Sequence, residues 1–266
     1  SASIVGINKN IAANSNIVFN SVYIGGSSVA SGTVNTYAFQ RLLTGTDEIR
    51  DNIFVNSRSN TSGTGSHFAY GLNATTTATS DYNIYYAPGT GGAISSVAGT
   101  TYTLQGLRAT VSGQDLHSGN GDPNYLSPNG SSFTINLHLN SATPAEGTGV
   151  TTTTSVTDDY DGTTRSTVTP IDIGADAGNF NTLVASTDIF TPTISYTAIT
   201  NQASCASTVT LSATISDVGV GVPTSGANVP RIYFRRSSPS ASSWASAAGT
   251  LQSGNGTSGT WSFVID

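Results

Sequence analysis

The chain has 266 residues, a net charge of −6 and a sequence pI of about 4.8, and only 9% of its residues are charged, against roughly a quarter in an average globular domain. With Lys9 as its one lysine, that balance argues against a nucleic-acid surface, which needs clustered Lys and Arg. No apolar run reaches the roughly 18 to 20 residues of a membrane-spanning helix and no basic-then-apolar leader opens the chain. The lone Cys205 excludes an internal disulfide and a Cys-based metal site. It reads as a small, partly buried side chain.

From Ser1 to about Pro88, brief β-rich runs (Ile17 to Ile24, Tyr37 to Leu43, Glu48 to Val55, His67 to Leu72, Asp81 to Tyr86) alternate with Gly/Ser/Thr/Asn stretches, an all-β signal. Three runs are related: Ser15-Asn16-Ile17-Val18-Phe19-Asn20-Ser21, Arg50-Asp51-Asn52-Ile53-Phe54-Val55-Asn56-Ser57 and Tyr82-Asn83-Ile84-Tyr85-Tyr86-Ala87. Superposing them predicts one interior column of Ile17, Ile53 and Ile84, a second of Phe19, Val55 and Tyr86, and a third of Asn20 and Asn56 at a bend, since Asn tolerates left-handed backbone. A spacing of roughly 30 to 36 residues suits one supersecondary unit stacked on the next. No unit closes a core alone, whereas a stack buries a continuous apolar column, as in a solenoid. Residues 25–32, 57–66 and 74–80 project as loops. Beyond Gly89 the pattern loosens, with a short helix predicted over Leu104 to Val111. Phe133 to Leu139 then alternates, with one face buried and His138 on the wet face.

A polar block follows, Asp158-Asp159-Tyr160-Asp161-Gly162-Thr163-Thr164-Arg165, and then Asp172-Ile173-Gly174-Ala175-Asp176. After Pro192 come longer strands at Thr193 to Ile199, Thr208 to Ser216, Arg231 to Arg236 and Thr260 to Ile265, with a fifth at Trp244 to Leu251. Their spacing suggests a sandwich, which needs about seven strands. The shortfall would leave Val209, Leu211, Ile232 and Phe234 partly uncovered and a strand edge unpaired, a template for another chain. Two explanations stand: the chain is a piece of a longer polypeptide, the favoured one, or a neighbouring subunit supplies a strand, giving a homo-oligomer or filament by β-strand addition.

The Asn52-Ile53-Phe54-Val55-Asn56 run, the segment Gly113-Gln114-Asp115-Leu116-His117-Ser118 with Asp122-Pro123, and the closing Asp159-Tyr160-Asp161-Gly162, Arg165 and Asp172 to Asp176 resemble secreted right-handed parallel β-helix proteins of Bacteroidetes type. Residues 192–266, with Arg231-Ile232-Tyr233-Phe234 and Gly259-Thr260-Trp261-Ser262-Phe263, resemble the immunoglobulin-like modules that follow such helices. The expectation is an all-β chain: a parallel β-helix over 1–185, closed by 158–176, then a partial immunoglobulin-like sandwich over 192–266. The resemblance implies export and an extracellular or cell-surface location.

β-Helices also host polysaccharide lyases and hydrolases, whose chemistry needs paired carboxylates or clustered acids holding Ca²⁺ beside a basic residue. The candidates are Asp47, Glu48, Arg50 and Asp51, with Asp81 one coil further on. No His or Lys joins them in the sequence, so they also read as a solvated edge. Asp158, Asp159 and Asp161 have the oxygen density of a Ca²⁺ loop. The competing reading ties Arg165 to Asp159, Asp161, Asp172 or Asp176 as an ion-paired closure. His67, His117 and His138 show no metal-ligand spacing. Tyr37, Tyr70, Tyr82, Tyr85 and Tyr86 offer rings for stacking on a surface glycan, Tyr85 being the one expected to stay exposed. The functional expectation is a non-enzymatic structural or adhesive module of a surface protein or filament. The alternative is a carbohydrate-binding or polysaccharide-degrading protein on the same scaffold.

Overall fold

The computed structural model describes residues 3–26, 29–74, 78–131, 133–168, 170–180, 188–200, 208–235 and 242–266. Cys205 and Arg236 lie outside them. The chain divides into two compact units, Ser1–Ile189 and Phe190–Asp266.

The first unit is a β-solenoid of about 4 turns. Its first coil comprises β1 (Val5–Lys9), β2 (Asn16–Val18) and β3 (Ser21–Ile24), its second β4 (Thr36–Arg41), β5 (Asp47–Arg50) and β6 (Ile53–Asn56), and its third β7 (His67–Leu72), β8 (Ala78–Asp81) and β9 (Ile84–Tyr86). The fourth begins at β10 (Gly92–Val97), turns back through β11 (Thr100–Tyr102) and α1 (Leu104–Thr110), and rejoins at β12 (Gly119–Asn120). Stacking makes three parallel sheets, β1-β4-β7-β10, β2-β5-β8 and β3-β6-β9-β12.

Register places Ile7 over Phe39 over Tyr70 in one sheet and Val22 over Phe54 over Tyr85 in another. These residues meet across the interior. The rings of Phe39 and Phe54 stack at 5.1 Å and those of Tyr70 and Tyr85 tilt at 5.2 Å, contacts worth roughly 0.5–1.5 kcal/mol each beyond the area they bury. Helix α1 starts at Thr103, whose side chain accepts the Gly106 N–H at 3.1 Å, and lays Leu104 and Leu107, followed by Val111, into this core.

The corner between the second and third sheets fixes the coil. Phe19, Asp51 and Tyr82 have φ of 54°, 55° and 55°, a left-handed conformation that disfavours residues with a Cβ. The next residue in each case is Asn20, Asn52 or Asn83. The Asn52 Oδ1 accepts both the backbone N–H (3.0 Å) and the amide (2.9 Å) of Asn20. Asn83 serves Asn52 in the same way, both at 3.0 Å, and the Ser118 hydroxyl closes the ladder on the Asn83 N–H at 3.0 Å. The amides also donate back to Val18, Arg50 and Asp81 carbonyls. Donors and acceptors exposed by the sharp bend are thereby bonded.

Here the predicted columns need correction. Ile53 and Ile84 are in register, as are Val55 and Tyr86, but Ile17 stacks on Ile49 and Ser80 in the neighbouring sheet. Phe19 occupies the bend, and Asn20 aligns with Asn52, not Asn56. Asn56 instead ties two sheets together through the carbonyls of Thr36 and Phe68. The Ile53 column also faces outward: Phe54 and Tyr85 belong to the interior cluster, and the alternate residues Ile53, Val55 and Ile84 are buried from the other side.

What covers Ile53 is the segment after the hairpin β13 (Tyr125–Ser127) and β14 (Asn136–Leu139). That segment is largely irregular, yet Ala145, Thr148, Asp172 and Ile173 are buried. Gly174 lies so near the sheet that a Cβ there would meet Ile53 Cδ1 at 2.7 Å, and its φ of 107° suits only glycine. The alternation of Phe133 to Leu139 does not bury one face as expected: Phe133 is 97% exposed and Ile135 46%, while Leu139 is buried.

The second unit has strands β15 (Thr193–Tyr196), β16 (Val209–Ser216), β17 (Arg231–Phe234), β18 (Ala245–Ala248), β19 (Thr250–Gly254) and β20 (Ser258–Ile265). An antiparallel sheet, β15-β16-β20-β19, accompanies the β17–β18 hairpin. Ala213, Ile215, Trp261 and Phe263 form the core, with Leu211, Ile232 and Leu251 against it. The predicted strand over Trp244 to Leu251 is divided between β18 and β19 at Gly249.

The ladder makes a direct prediction. Asn52→Leu removes the acceptor of two Asn20 donors and the amide that reaches Asn83, so it should destabilise the first unit by roughly 2–4 kcal/mol, taking about 1–3 kcal/mol for each polar group left unbonded. The exposed Asn73→Ala should change stability by no more than about 0.5 kcal/mol. Denaturant midpoints of the two variants check this, and equal midpoints would refute the role of the ladder.

Candidate functional site

The acidic residues singled out from the sequence are all placed, but they do not form one group. Asp47 points into the solenoid, buried, with Arg41 Nε at 2.6 Å, Lys9 Nζ at 3.2 Å and the Ser15 N–H at 2.9 Å. Glu48 points the other way and accepts the Thr153 N–H at 3.0 and 3.1 Å, together with its hydroxyl. Arg50 is 4.0 Å from Glu48. Asp81 registers with Arg50, not Asp51, and holds His117 through its backbone N–H (2.7 Å) and Nδ1 (2.8 Å). The His117 ring stacks on Tyr82 at 4.8 Å. The expectation that no Lys or His joins these acids is thus corrected: Lys9 and His117 arrive from other coils.

Asp51 is fully buried in the left-handed bend. Its Oδ1 accepts the Val150 N–H at 2.9 Å, and Oδ2 has no hydrogen-bond partner among the described residues. Burial pushes this carboxyl up to about 8, outweighing the Val150 bond and the fields of Arg50 and Arg165. A neutral carboxyl is far cheaper to bury there than an ion.

The closing block uses its carboxylates as acceptors for backbone N–H groups. Asp172 accepts those of Gly147 (2.8 Å) and Gly178 (3.0 Å), and burial pushes it up to about 6. Asp176 accepts the Leu139 N–H at 2.7 Å. Asp159 accepts from Asp161 (2.9 Å), Thr163 (2.7 Å) and Ala177 (3.2 Å), while Asp158 bonds the hydroxyls of Thr157 and Thr164. Arg165 does not form the expected ion pair. Its Nη2 donates to the carbonyls of Gly174 (2.8 Å) and Ala175 (3.0 Å), and the guanidinium lies 4.3 Å above the Phe19 ring. Among the described residues no carboxylate pairs directly with it, although Asp51, Asp159, Asp172 and Asp176 all act on its charge at longer range. Asp158, Asp159 and Asp161 have separate partners and do not converge as a Ca²⁺ loop would require.

The fold does gather one set that the sequence did not suggest. His138 Nε2 lies 2.7 Å from Asp161 Oδ2, and these two residues and Asp176 bring one ligand atom each within 4.8 Å of one another. Ser21, Phe133, Ile135, Tyr160 and Asp176 are among the residues lining the adjoining cavity of about 520 Å³. Phe133 and Tyr160 are exposed, and the Tyr160 ring meets His138 edge-on at 5.9 Å. The expected aromatic strip is differently arranged: Tyr70 and Tyr85 are core, Tyr37 is stacked on Phe68, and Tyr82 on His117. No local spacing signals the His138 group, because its members come from β14, the Asp-rich turn and the Gly174 segment. No family model, curated protein or solved structure matches the chain.

The raised carboxyls set a pH dependence. Asp51 and Asp172 hold their protons in the folded chain above the pH at which the unfolded chain releases them, so unfolding releases protons and stability falls as pH rises. The decline should run from about pH 4 to about 6 for Asp172 and to about 8 for Asp51, with a slope of roughly 1.4 kcal/mol per pH unit for each group. Asp51→Asn keeps the acceptor for Val150 and should flatten the part between about pH 6 and 8. Melting temperatures across that range test this; a variant as steep as the parent would show that Asp51 is ionised in the fold.

Proposed function

We propose that the chain is a non-enzymatic structural or adhesive module of an extracellular or cell-surface protein or filament. In this reading the first unit is a right-handed β-helix of the kind found in Bacteroidetes surface proteins, and the second an immunoglobulin-like module. The supporting observation is the use of the acids: Glu48, Asp51, Asp159, Asp172 and Asp176 each accept a backbone N–H, and Asp47 is consumed in a buried ion pair. A glycoside-cleaving pair instead needs two carboxyls facing one cleft, about 5 to 9.5 Å apart, with a sugar between them.

Assembly through the second unit belongs to the same proposal. Ile194 and Tyr196 on the edge strand β15 are 63% and 62% exposed, and they line an apolar cleft of about 540 Å³ with Leu211, Ile232 and Phe263. An open edge beside an apolar cleft suits addition of a strand from another chain. A second reading, glycan binding, is favoured by one observation: Phe133 and Tyr160 are 97% and 77% exposed at the cavity beside His138, where the rings could stack on a sugar.

The purified chain should release neither reducing nor unsaturated ends from acidic or neutral polysaccharides. Turnover lost in Asp51→Asn would overturn the structural reading, and glycan retention lost in Phe133→Ala and Tyr160→Ala would establish the binding alternative.

A further inference from the structure

The orientation of His138 is set by Asn136. The Asn136 Oδ1 accepts the backbone N–H of His138 at 2.9 Å and also contacts His138 Nδ1. A backbone N–H can only donate, so this amide atom is the oxygen, and Nδ1 must carry the hydrogen that meets it. In a neutral imidazole the lone pair then sits on Nε2. Nε2 points at Asp161 Oδ2, 2.7 Å away, so two acceptors face each other and a positive charge is needed between them, either a proton or a metal ion.

Three further features favour the metal. An Nδ1–H held by a carbonyl oxygen is the arrangement that orients a metal-binding imidazole. Asp176 has one carboxylate oxygen anchored by the Leu139 N–H at 2.7 Å, its one hydrogen bond among the described residues, which leaves the other oxygen for a cation. The group also borders the cavity lined by Tyr160 and Asp176, so a fourth ligand, water or solute, can enter. One nitrogen and two carboxylates with an open position suit a borderline divalent ion such as zinc, whereas calcium and magnesium prefer oxygen alone.

We propose that His138 Nε2, Asp161 and Asp176 bind one divalent transition-metal ion of the zinc class at the mouth of this cavity. In a tetrahedral site with bonds of about 2.0–2.2 Å, ligand atoms lie roughly 3.4 Å apart. The present 2.7 Å contact must open and the 4.8 Å spread must close. The Asp161 side chain, 51% exposed, can rotate to open its contact with Nε2. The site differs from the Ca²⁺ loop expected at Asp158, Asp159 and Asp161, since Asp158 and Asp159 take no part.

The test is isothermal titration of the metal-stripped full chain with Zn²⁺, and separately with Ca²⁺, alongside Asp161→Asn, His138→Gln, Asn136→Ala and Asp158→Asn. Asp161 is exposed, so Asp161→Asn should fold as the parent does, which far-UV circular dichroism verifies. The expected result is one equivalent of Zn²⁺ in the parent and in Asp158→Asn, binding lost in Asp161→Asn and His138→Gln, and affinity lowered roughly 10- to 100-fold in Asn136→Ala. Zn²⁺ should also raise the melting temperature of the parent but not of Asp161→Asn. A parent that binds no Zn²⁺, that binds Ca²⁺ in preference, or that binds Zn²⁺ as well as Asp161→Asn does overturns the proposal.

Discussion

The solenoid depends on satisfying the backbone at one corner. Turning the chain from β2, β5 or β8 into the next sheet needs a left-handed residue, and Phe19, Asp51 and Tyr82 adopt that conformation at a cost of roughly 1–2 kcal/mol each. The Asn that follows each of them offsets the cost. One amide oxygen takes two donors from the coil before it, and the amide nitrogen returns bonds to the carbonyls around the bend. Since every rung bonds the next, the ladder sets the height of a coil. It also sets the register in which Phe39, Phe54, Tyr70 and Tyr85 become neighbours.

Acids play on the outer face the part that Asn plays at the corner. The segment from about residue 143 to 178 has little regular structure, so its N–H groups need side-chain acceptors. The sheet side supplies Glu48 and Asp51, and the segment supplies Asp159 and Asp172. The apolar contribution comes from Ile53, Val55 and Ile84, whose outward side chains would otherwise leave an exposed stripe. A chain with few charges places most of its candidate acids where they hold backbone together. Asp161 stands apart, because its carboxylate meets the His138 imidazole and not a backbone N–H.

Much of the scaffold was legible in local sequence, and the misplaced columns have a local origin. Asn16-Ile17-Val18-Phe19-Asn20-Ser21 mimics Asn52-Ile53-Phe54-Val55-Asn56-Ser57 residue for residue in character. The true partner of Asn52 is Asn20, at a separation of 32 residues. A bend at Phe19 or Tyr82 carries no Gly or Pro to mark it, so the likeness fixed a register four residues out. Helix α1 was readable because Thr103 caps an apolar repeat at Leu104, Leu107 and Val111. The reading of Tyr85 as exposed follows from taking the Ile53 and Ile84 column as the interior one, whereas the core lies on the alternate face, that of Phe54 and Tyr85.

The sequence by itself determined the all-β character, the stacking of repeats and the change to longer alternating strands after Pro192, since turn residues and apolar period act within a few positions. Tertiary structure alone decided what the ionisable groups do. Lys9 reaches Asp47 from the preceding coil, His117 reaches Asp81, and Arg165 settles on carbonyls above Phe19 instead of on a carboxylate. His138 meets Asp161 and Asp176 only once β14 and the closing segment have docked. Each of these depends on a side chain's distance from charges far away in sequence and on the water excluded around it, and neither quantity exists until the chain has folded.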